Sequence, residues 1–317
     1  MSKTVEFIWG AADEVASRAR RDVPSFRLVN PVGELPAAQG AFSLGCGGRG
    51  ATALPARSLM RGGRVVGETW EDDLASYCLL AGVLPQDLAA ARGAQASSVF
   101  LEMEALLAEA GMTFANVVRT WLYIDRVCEW YGEFNAARTA FFESRGVFDT
   151  FLPASTGIGS ANLDGAAITA GAVAVKPKDG RVKAEIVESP LQAPAMAYRS
   201  SFSRAAEIQW PDQRLLLVSG TASIAPDSHD VAFVGDISKQ IDCTMTAVHA
   251  ILKSRGCGWG DVSRAVVYLK EPDFVYAWRA WLAAYGLRED FAIETVCDVC
   301  RDEWLFEIEL DARVVSG

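Results

Sequence analysis

Residues 106–124 read LLAEAGMTFANVVRTWLYI and residues 251–269 read ILKSRGCGWGDVSRAVVYL, and the two stretches align without a gap at an offset of 145. Gly111 matches Gly256, Phe114 matches Trp259, Val117 matches Val262, Arg119 matches Arg264 and Tyr123 matches Tyr268. Self-similarity of this kind marks a duplicated structural unit. In each copy an amphipathic helical stretch stops at a glycine, a short loop follows, and a β-rich run begins. A second helix is expected over 130–142 in the first copy and 274–285 in the second, and each copy closes on a strand pair, at 167–175 and 304–314. Short strands that carry a glycine, 77–82 and 215–220, precede the first helix of each copy. The order per copy is therefore strand, helix, strand, helix, strand, which defines an α+β class. Residues 176–194, with Lys-Pro-Lys-Asp-Gly at their start, read as turn and connector. The expected division is an N-terminal domain over 1–180, enlarged by an extension, and a C-terminal domain over 195–317.

The bulk properties exclude several functions. The chain has 317 residues, half of them hydrophobic, and a formal charge of -10. No cluster of Lys and Arg interrupts the acidic balance, so neither nucleic acid nor an anionic membrane surface is an expected partner. No stretch approaches the ~20 consecutive apolar residues of a membrane helix. Seven cysteines, an odd number with no apolar signal region before them, point to reduced thiols and a cytoplasmic location. The two histidines, His229 and His249, are too few for a histidine metal site, and Cys297-x-x-Cys300 lacks a second pair. No metal is expected. The glycine-rich run 45–50 lacks the Lys-Ser/Thr ending of a phosphate loop and reads as a flexible loop.

Residues 300–310, CRDEWLFEIEL, read as one strand with an unusual content. Under the two-residue strand period Trp304, Phe306, Ile308 and Leu310 share one face, and Glu303, Glu307 and Glu309 share the other. On pattern alone a solvated outer face is the bland reading of the acidic side, one that the segment's place in the chain can change.

The motifs taken together carry a resemblance. The strand leading to Ser219-Gly220-Thr221, the helix-Gly-Trp/Phe-x-x-Val unit and the closing Glu307-Ile308-Glu309 look like the YjgF/Rid fold. A narrower group is matched by Arg119-Thr120-Trp121-Leu122-Tyr123, by Trp130-Tyr131-x-Glu133-Phe134-Asn135-x-x-Arg138, and by 152–159 (LPASTGIG). The same group is matched by 189–192 (SPLQ), 200–205 (SSFSRA), 218–224 (VSGTASI) and 300–312. Over about residues 70–315 this set resembles the chorismatases, tandem Rid-like enzymes that remove the enolpyruvyl group from chorismate. The resemblance implies two tandem YjgF/Rid-like (chorismate mutase-like) domains, each a mixed β-sheet with two helices on one face. It also implies chorismate as a small-molecule substrate and no cofactor. Single-copy Rid proteins form trimers with sites between subunits; a tandem chain can build part of that interface internally, so a homo-oligomer and a monomer both remain open.

One departure bears on the reaction. Rid imine deaminases grip their substrate with an arginine in a Pro-Ala-Arg-Ser-like motif, whereas this chain reads Pro153-Ala154-Ser155-Thr156. Imine hydrolysis is thus a second reading, and a non-catalytic ligand-binding relative a third. Cleavage of an enol ether in a dianion requires a proton donor for the methylene carbon and groups that hold two carboxylates. Glu307, in an apolar strand, is the candidate acid because burial raises a carboxyl pKa; the resemblance places the catalytic acid here too. Glu309, on the same face, remains an alternative. Arginine suits carboxylates through its planar fork, and Arg204, Arg138 and Arg301 are the candidates. Tyr198, Ser201 and Thr156 could add neutral donors. Arg119 and Arg264 recur in both copies, which favours a structural role. Cys300 alone is a small buried hydrophobe, but the resemblance implies more: the subgroup forming 3-hydroxybenzoate carries a cysteine at this place, and the subgroup forming the dihydroxycyclohexadiene carboxylate does not. Ala222 is a position where pocket volume could admit or exclude a water molecule.

Overall fold

The computed structural model describes residues 2–29, 37–45, 54–198, 200–225 and 230–315; the glycine-rich stretch 46–50 and His229 lie outside them. The N-terminal extension forms β1 (Ser2–Gly10), α1 (Ala12–Arg18), β2 (Ser25–Val29) and β3 (Ala38–Gly45), and with β9 (Ala161–Asn162) it makes a four-stranded sheet in the order β3-β1-β2-β9.

Two six-stranded sheets carry the repeat. The first contains β4 (Arg57–Arg61), β5 (Arg64–Glu71), β6 (Ala75–Val83), β7 (Val117–Ile124), β8 (Ala154–Gly159) and β10 (Ile168–Pro177), in the order β4-β5-β6-β10-β7-β8. Helix α2 (Arg92–Glu109) connects β6 to β7, and α3 (Val127–Ser144) lies between β7 and β8, which pair in parallel. The second sheet repeats this plan with β11 (Lys183–Val187), β12 (Ala205–Gln209), β13 (Gln213–Ala222), β14 (Val262–Leu269), β15 (Ile293–Val296) and β16 (Phe306–Val315), in the order β11-β12-β13-β16-β14-β15. Its helices are α4 (Ile237–Ser254) and α5 (Val275–Ala284).

Each copy is thus longer than the strand-helix-strand-helix-strand order expected. A hairpin precedes it, a parallel strand follows the second helix, and one ten-residue strand closes it rather than a strand pair. The 176–194 stretch is more than a connector, because β11 lies inside it and forms the edge of the second sheet. As a short edge strand in which only Val187 is buried, with two charges, Lys183 and Glu185, it has the composition of a loop.

Alternation along the strands divides the core. Val99, Phe100, Met103 and Leu106 of α2 and Phe134 and Phe142 of α3 pack on Leu80, Leu122 and Ala172. Ile241, Met245 and Val248 of α4 and Trp278 and Leu282 of α5 pack on Val218, Val267, Ile308 and Leu310. The opposite faces of both sheets meet the N-terminal sheet in a third core, where Phe7, Trp9, Phe26 and Phe42 join Tyr77, Trp121, Tyr123, Leu217 and Tyr268. All eight residues of β7 are buried, since helices cover one face and the other two sheets cover the second.

The terminal segment departs from its sequence pattern. Residues 300–305 are turn and loop, and the strand begins only at Phe306. Trp304 therefore leaves the Phe306-Ile308-Leu310 face and packs in the central core, its indole N–H donating to the Ser223 carbonyl at 2.8 Å. Glu307, Glu309 and Asp311 do share a face, but it is not solvated: they are 6%, 0% and 1% exposed. The solvated-outer-face reading fails because the first domain and the N-terminal sheet cover what would be a free surface in a single copy.

Candidate active site

The acidic face of β16 meets β7 and β8 of the first domain, and this junction shapes the site. Glu309 is enclosed by donors from both copies. Arg119 Nη2 lies 2.6 Å from its Oε2, Arg264 Nη2 lies 2.7 Å from its Oε1, and the Trp121 indole N–H donates to Oε1 at 3.0 Å. Arg264 also pairs with Asp311 at 2.5 Å. Burial pushes the Glu309 carboxyl up, but Arg264 and Arg119 outweigh it and hold it below the usual carboxylate range. The repeated arginines thus pair with one buried carboxylate, and that shared anion is the alternative acid.

Glu307 has a different environment. Among the described residues its carboxyl makes no ion pair within 4 Å. Burial, reinforced by the negative charge of Glu309, pushes its pKa up to about 8, against the opposing pull of Arg119 and Arg204. Two carboxylates two residues apart on one strand are thus driven in opposite directions, one a fixed anion and the other a neutral acid near pH 7.

The Glu307 carboxyl reaches its position through a break in the neighbouring strand. Pairing of β13 with β16 shifts between Val218 and Thr221, so Ser219 and Gly220 turn toward the first domain. There the Gly220 N–H donates to Thr156 Oγ1 at 3.1 Å, and the Ser155 N–H donates to Ser219 Oγ at 2.9 Å. Gly220 has no side chain to obstruct Glu307; a Cβ built there would collide with Glu307 Oε1.

Glu307 faces a narrow cleft between the domains, about 520 Å³ including its open mouth. The first domain contributes Tyr131 and Arg138 from α3 and Ser155 and Gly157 from β8; the second contributes Ser200, Phe202, Arg204, Gly220, Ala222, Ile224, Cys300 and Trp304. Arg204 and Arg138 are 3% and 2% exposed, so the solvated-helix alternative for Arg138 does not hold. The Phe202 ring lies between them, 5.7 Å from the Arg204 guanidinium and 5.9 Å from that of Arg138. Arg204 donates twice to the Ala193 carbonyl, and Arg138 Nη2 donates to Asn135 Oδ1 at 2.6 Å. Cys300 and Tyr131 share a side-chain hydrogen bond, and burial pushes both pKa values up, so both groups stay neutral.

Of the residues singled out by sequence, Glu307, Cys300, Arg204, Arg138 and Ala222 line the cleft together. Arg301 does not; its guanidinium lies over the Trp304 ring, 5.2 Å from the centroid, so it backs the wall that Trp304 forms. Ser201 also points away, its hydroxyl 2.8 Å from that of Thr139 on α3. Thr156 lies behind the wall and accepts from Arg119 Nη2 at 2.6 Å. Tyr198 ends the short turn Ala195–Tyr198, and its side chain lies outside the described residues. Sequence reasoning missed Tyr131, Ser155, Ser200, Phe202 and Trp304 as lining residues. Each flanks a residue that was chosen or falls in a quoted motif, but strand and loop direction decided which neighbour faces the cleft.

Among the described residues no helix is long and apolar enough to cross a membrane. Residues 191–314 match the family described as Endoribonuclease L-PSP. A crystal structure of Chorismatase superposes with a TM-score of 0.70 over 97% of this chain and 92% of its own, at 18% identity. A Streptomyces rapamycinicus protein named Chorismatase is 27% identical over 221 residues, 62% of this chain and 64% of the relative, so the match spans just under two thirds of that relative's length. The YjgF gene product from E. coli aligns with 40% of this chain and 97% of its own, at 17% identity and a TM-score of 0.32. The two matching sheets and their shared cleft define a tandem YjgF/Rid-like α+β protein. Within that class the chain is similar to the chorismatases.

Proposed function

We propose that the cleft cleaves the enolpyruvyl ether of chorismate and releases pyruvate. The observation that carries this reading is Glu307, a carboxyl kept protonated near neutral pH in a cleft lined by two buried arginines. Chorismate brings two carboxylates and one enol ether. Arg204 and Arg138 provide the planar donors for the carboxylates. Glu307 gives its proton to the methylene carbon, whose double-bond electrons form the new C–H bond and leave an oxocarbenium ion at the ether carbon.

Two captures of that ion are possible, and they differ in water. Attack by a ring hydroxyl, followed by aromatisation, yields 3-hydroxybenzoate and pyruvate with no water consumed. Attack by water yields the dihydroxycyclohexadiene carboxylate and pyruvate with one water consumed. Cys300 lies in the cleft wall, and the resemblance implies a cysteine at this place in the subgroup forming 3-hydroxybenzoate, which favours the first. Burial keeps the thiol protonated, so it acts through its shape and its hydrogen bond with Tyr131 rather than as a nucleophile. Imine hydrolysis is less well supported, because the arginine position of that chemistry holds Ser155, which faces the cleft without a charge.

Purified protein mixed with chorismate, with pyruvate followed by a coupled NADH assay and ring products resolved by chromatography, tests the reading. Pyruvate with 3-hydroxybenzoate is expected. Pyruvate with the diol would remove the role given to Cys300, and no pyruvate above background would overturn the function.

A further inference from the structure

The reading above uses Glu307 but leaves a fully buried carboxylate two residues away without a task. We propose that Glu309 is a positioning residue for the reaction: fixed as a permanent anion by groups from both domains, it keeps Glu307 protonated and aimed into the cleft. This inference rests on the proposed role of Glu307.

The geometry supports it in two ways. First, Glu309 is 0% exposed and cannot approach a substrate; Arg119 and Trp121 from β7, Arg264 from β14 and the Thr156 hydroxyl from β8 occupy its oxygens. Second, β16 places both carboxylates on one face, with no residue of that strand between them on that face, so a fixed anion at Glu309 opposes a second buried charge at Glu307.

The groups around Glu307 set the sign of the expected effect. Arg119 from β7 and Arg204 before β12 favour its anion; Glu309 opposes it. On β14 the neutral Tyr268 lies directly opposite Glu307 and Arg264 lies further along, opposite Asp311; Arg138 across the cleft, the neutral thiols of Cys297 and Cys300 and the neutral Tyr131 hydroxyl complete the surroundings. Three of the four groups that hold Glu309 come from the first domain. The acid of the second domain is therefore tuned only when the domains are docked.

The test is the titration of Glu307 in the full chain. The carboxyl C=O infrared band is followed against pH in the wild type, in Glu309→Gln and in Arg119→Met, with Glu307→Gln identifying the band; the pH profile of kcat/KM for pyruvate release is measured beside it. Glu309→Gln is expected to move the Glu307 midpoint, and with it the alkaline limb of the profile, down by about one pH unit or more. Arg119→Met is expected to move both up. Opposite shifts distinguish tuning from general loosening, which would move both variants alike. If Glu309→Gln does not fold alone, the double variant Glu309→Gln/Arg119→Met, which removes both members of the buried pair, is compared with Arg119→Met; a Glu307 midpoint lower in the double variant supports the proposal, and an equal one overturns it. An unmoved band in these variants overturns it. A wild type that makes no pyruvate but shows the opposite infrared shifts would overturn the proposed function while upholding the electrostatic role of Glu309.

Discussion

Tyr123 and Tyr268 occupy the same position in the two repeats, and their hydroxyls meet 3.3 Å apart in the core shared by the three sheets. Duplication has thus placed the same residue on both sides of one interface, and each hydroxyl serves as the other's partner. Burial pushes both phenols up, so neither ionises in the physiological range. Tyr123→Phe or Tyr268→Phe alone should cost about 1–3 kcal/mol, because each leaves a buried hydroxyl unpartnered. The double variant should cost less than the sum, and denaturant unfolding of the four proteins in a cycle measures the difference. Strict additivity would show that the hydroxyls do not depend on each other.

Glu307→Gln should lower pyruvate release from chorismate by about 10²–10⁴-fold while chorismate binding persists, since the amide keeps the shape and loses the proton. In the wild type, kcat/KM should fall as pH rises through about 8, where Glu307 loses its proton. The same group shapes stability with a definite sign. Its folded pKa lies above the ~4.3 of an unfolded glutamate, so the folded state binds more protons between the two values and stability declines as pH rises through that window. Glu307→Gln should therefore unfold at higher denaturant than the wild type at pH 8, with the gap closing toward pH 4. A constant gap would contradict the raised pKa.

Gly220→Ala tests the close approach of the strand break to the acid. The new methyl would meet Glu307 Oε1 and displace the carboxyl. A misplacement of this size should reduce kcat by about a hundredfold, with KM changed less. Gly157→Ala, at a lining glycine where a Cβ meets no atom within 4 Å, is the control for added bulk in the cleft.

Arg264→Met removes a cation that pairs with both Glu309 and Asp311 and leaves buried carboxylates partly uncompensated. The expected loss is about 3–5 kcal/mol, the usual size for breaking a buried pair from one side. Arg279→Met, which breaks an exposed pair with Glu294, should change stability by less than about 1 kcal/mol. Thermal unfolding of the two variants compares them directly.

Cys300 should react slowly with alkylating reagents at pH 7.5, because burial raises its pKa and little thiolate exists. Cys300→Ala should retain pyruvate release and change the ratio of aromatic to diol product, measured by chromatography. An unchanged ratio would place the choice of nucleophile elsewhere in the wall, with Ala222 the next residue to vary.

The sequence by itself determined the duplication, since Gly111 and Gly256 end equivalent helices and Arg119 and Arg264 begin equivalent strands, all local signals that survive without knowledge of the fold. It also singled out Glu307, a carboxyl inside an apolar run, whereas Cys300, Arg204 and Arg138 came from the motifs that carry the family resemblance. The tertiary structure alone decided three matters. It assigned β4, β5 and β11 to the sheets, where pairing partners rather than local propensity make a strand. It turned Ser201, Thr156 and Arg301 out of the cleft, since a one-residue change of direction moves a side chain to the opposite face. Above all it separated Glu307 from Glu309, identical residues two positions apart on one strand, each between apolar neighbours. The separation depends on distance to Arg119, 188 positions from Glu307 along the chain, and burial against a second domain makes that distance count.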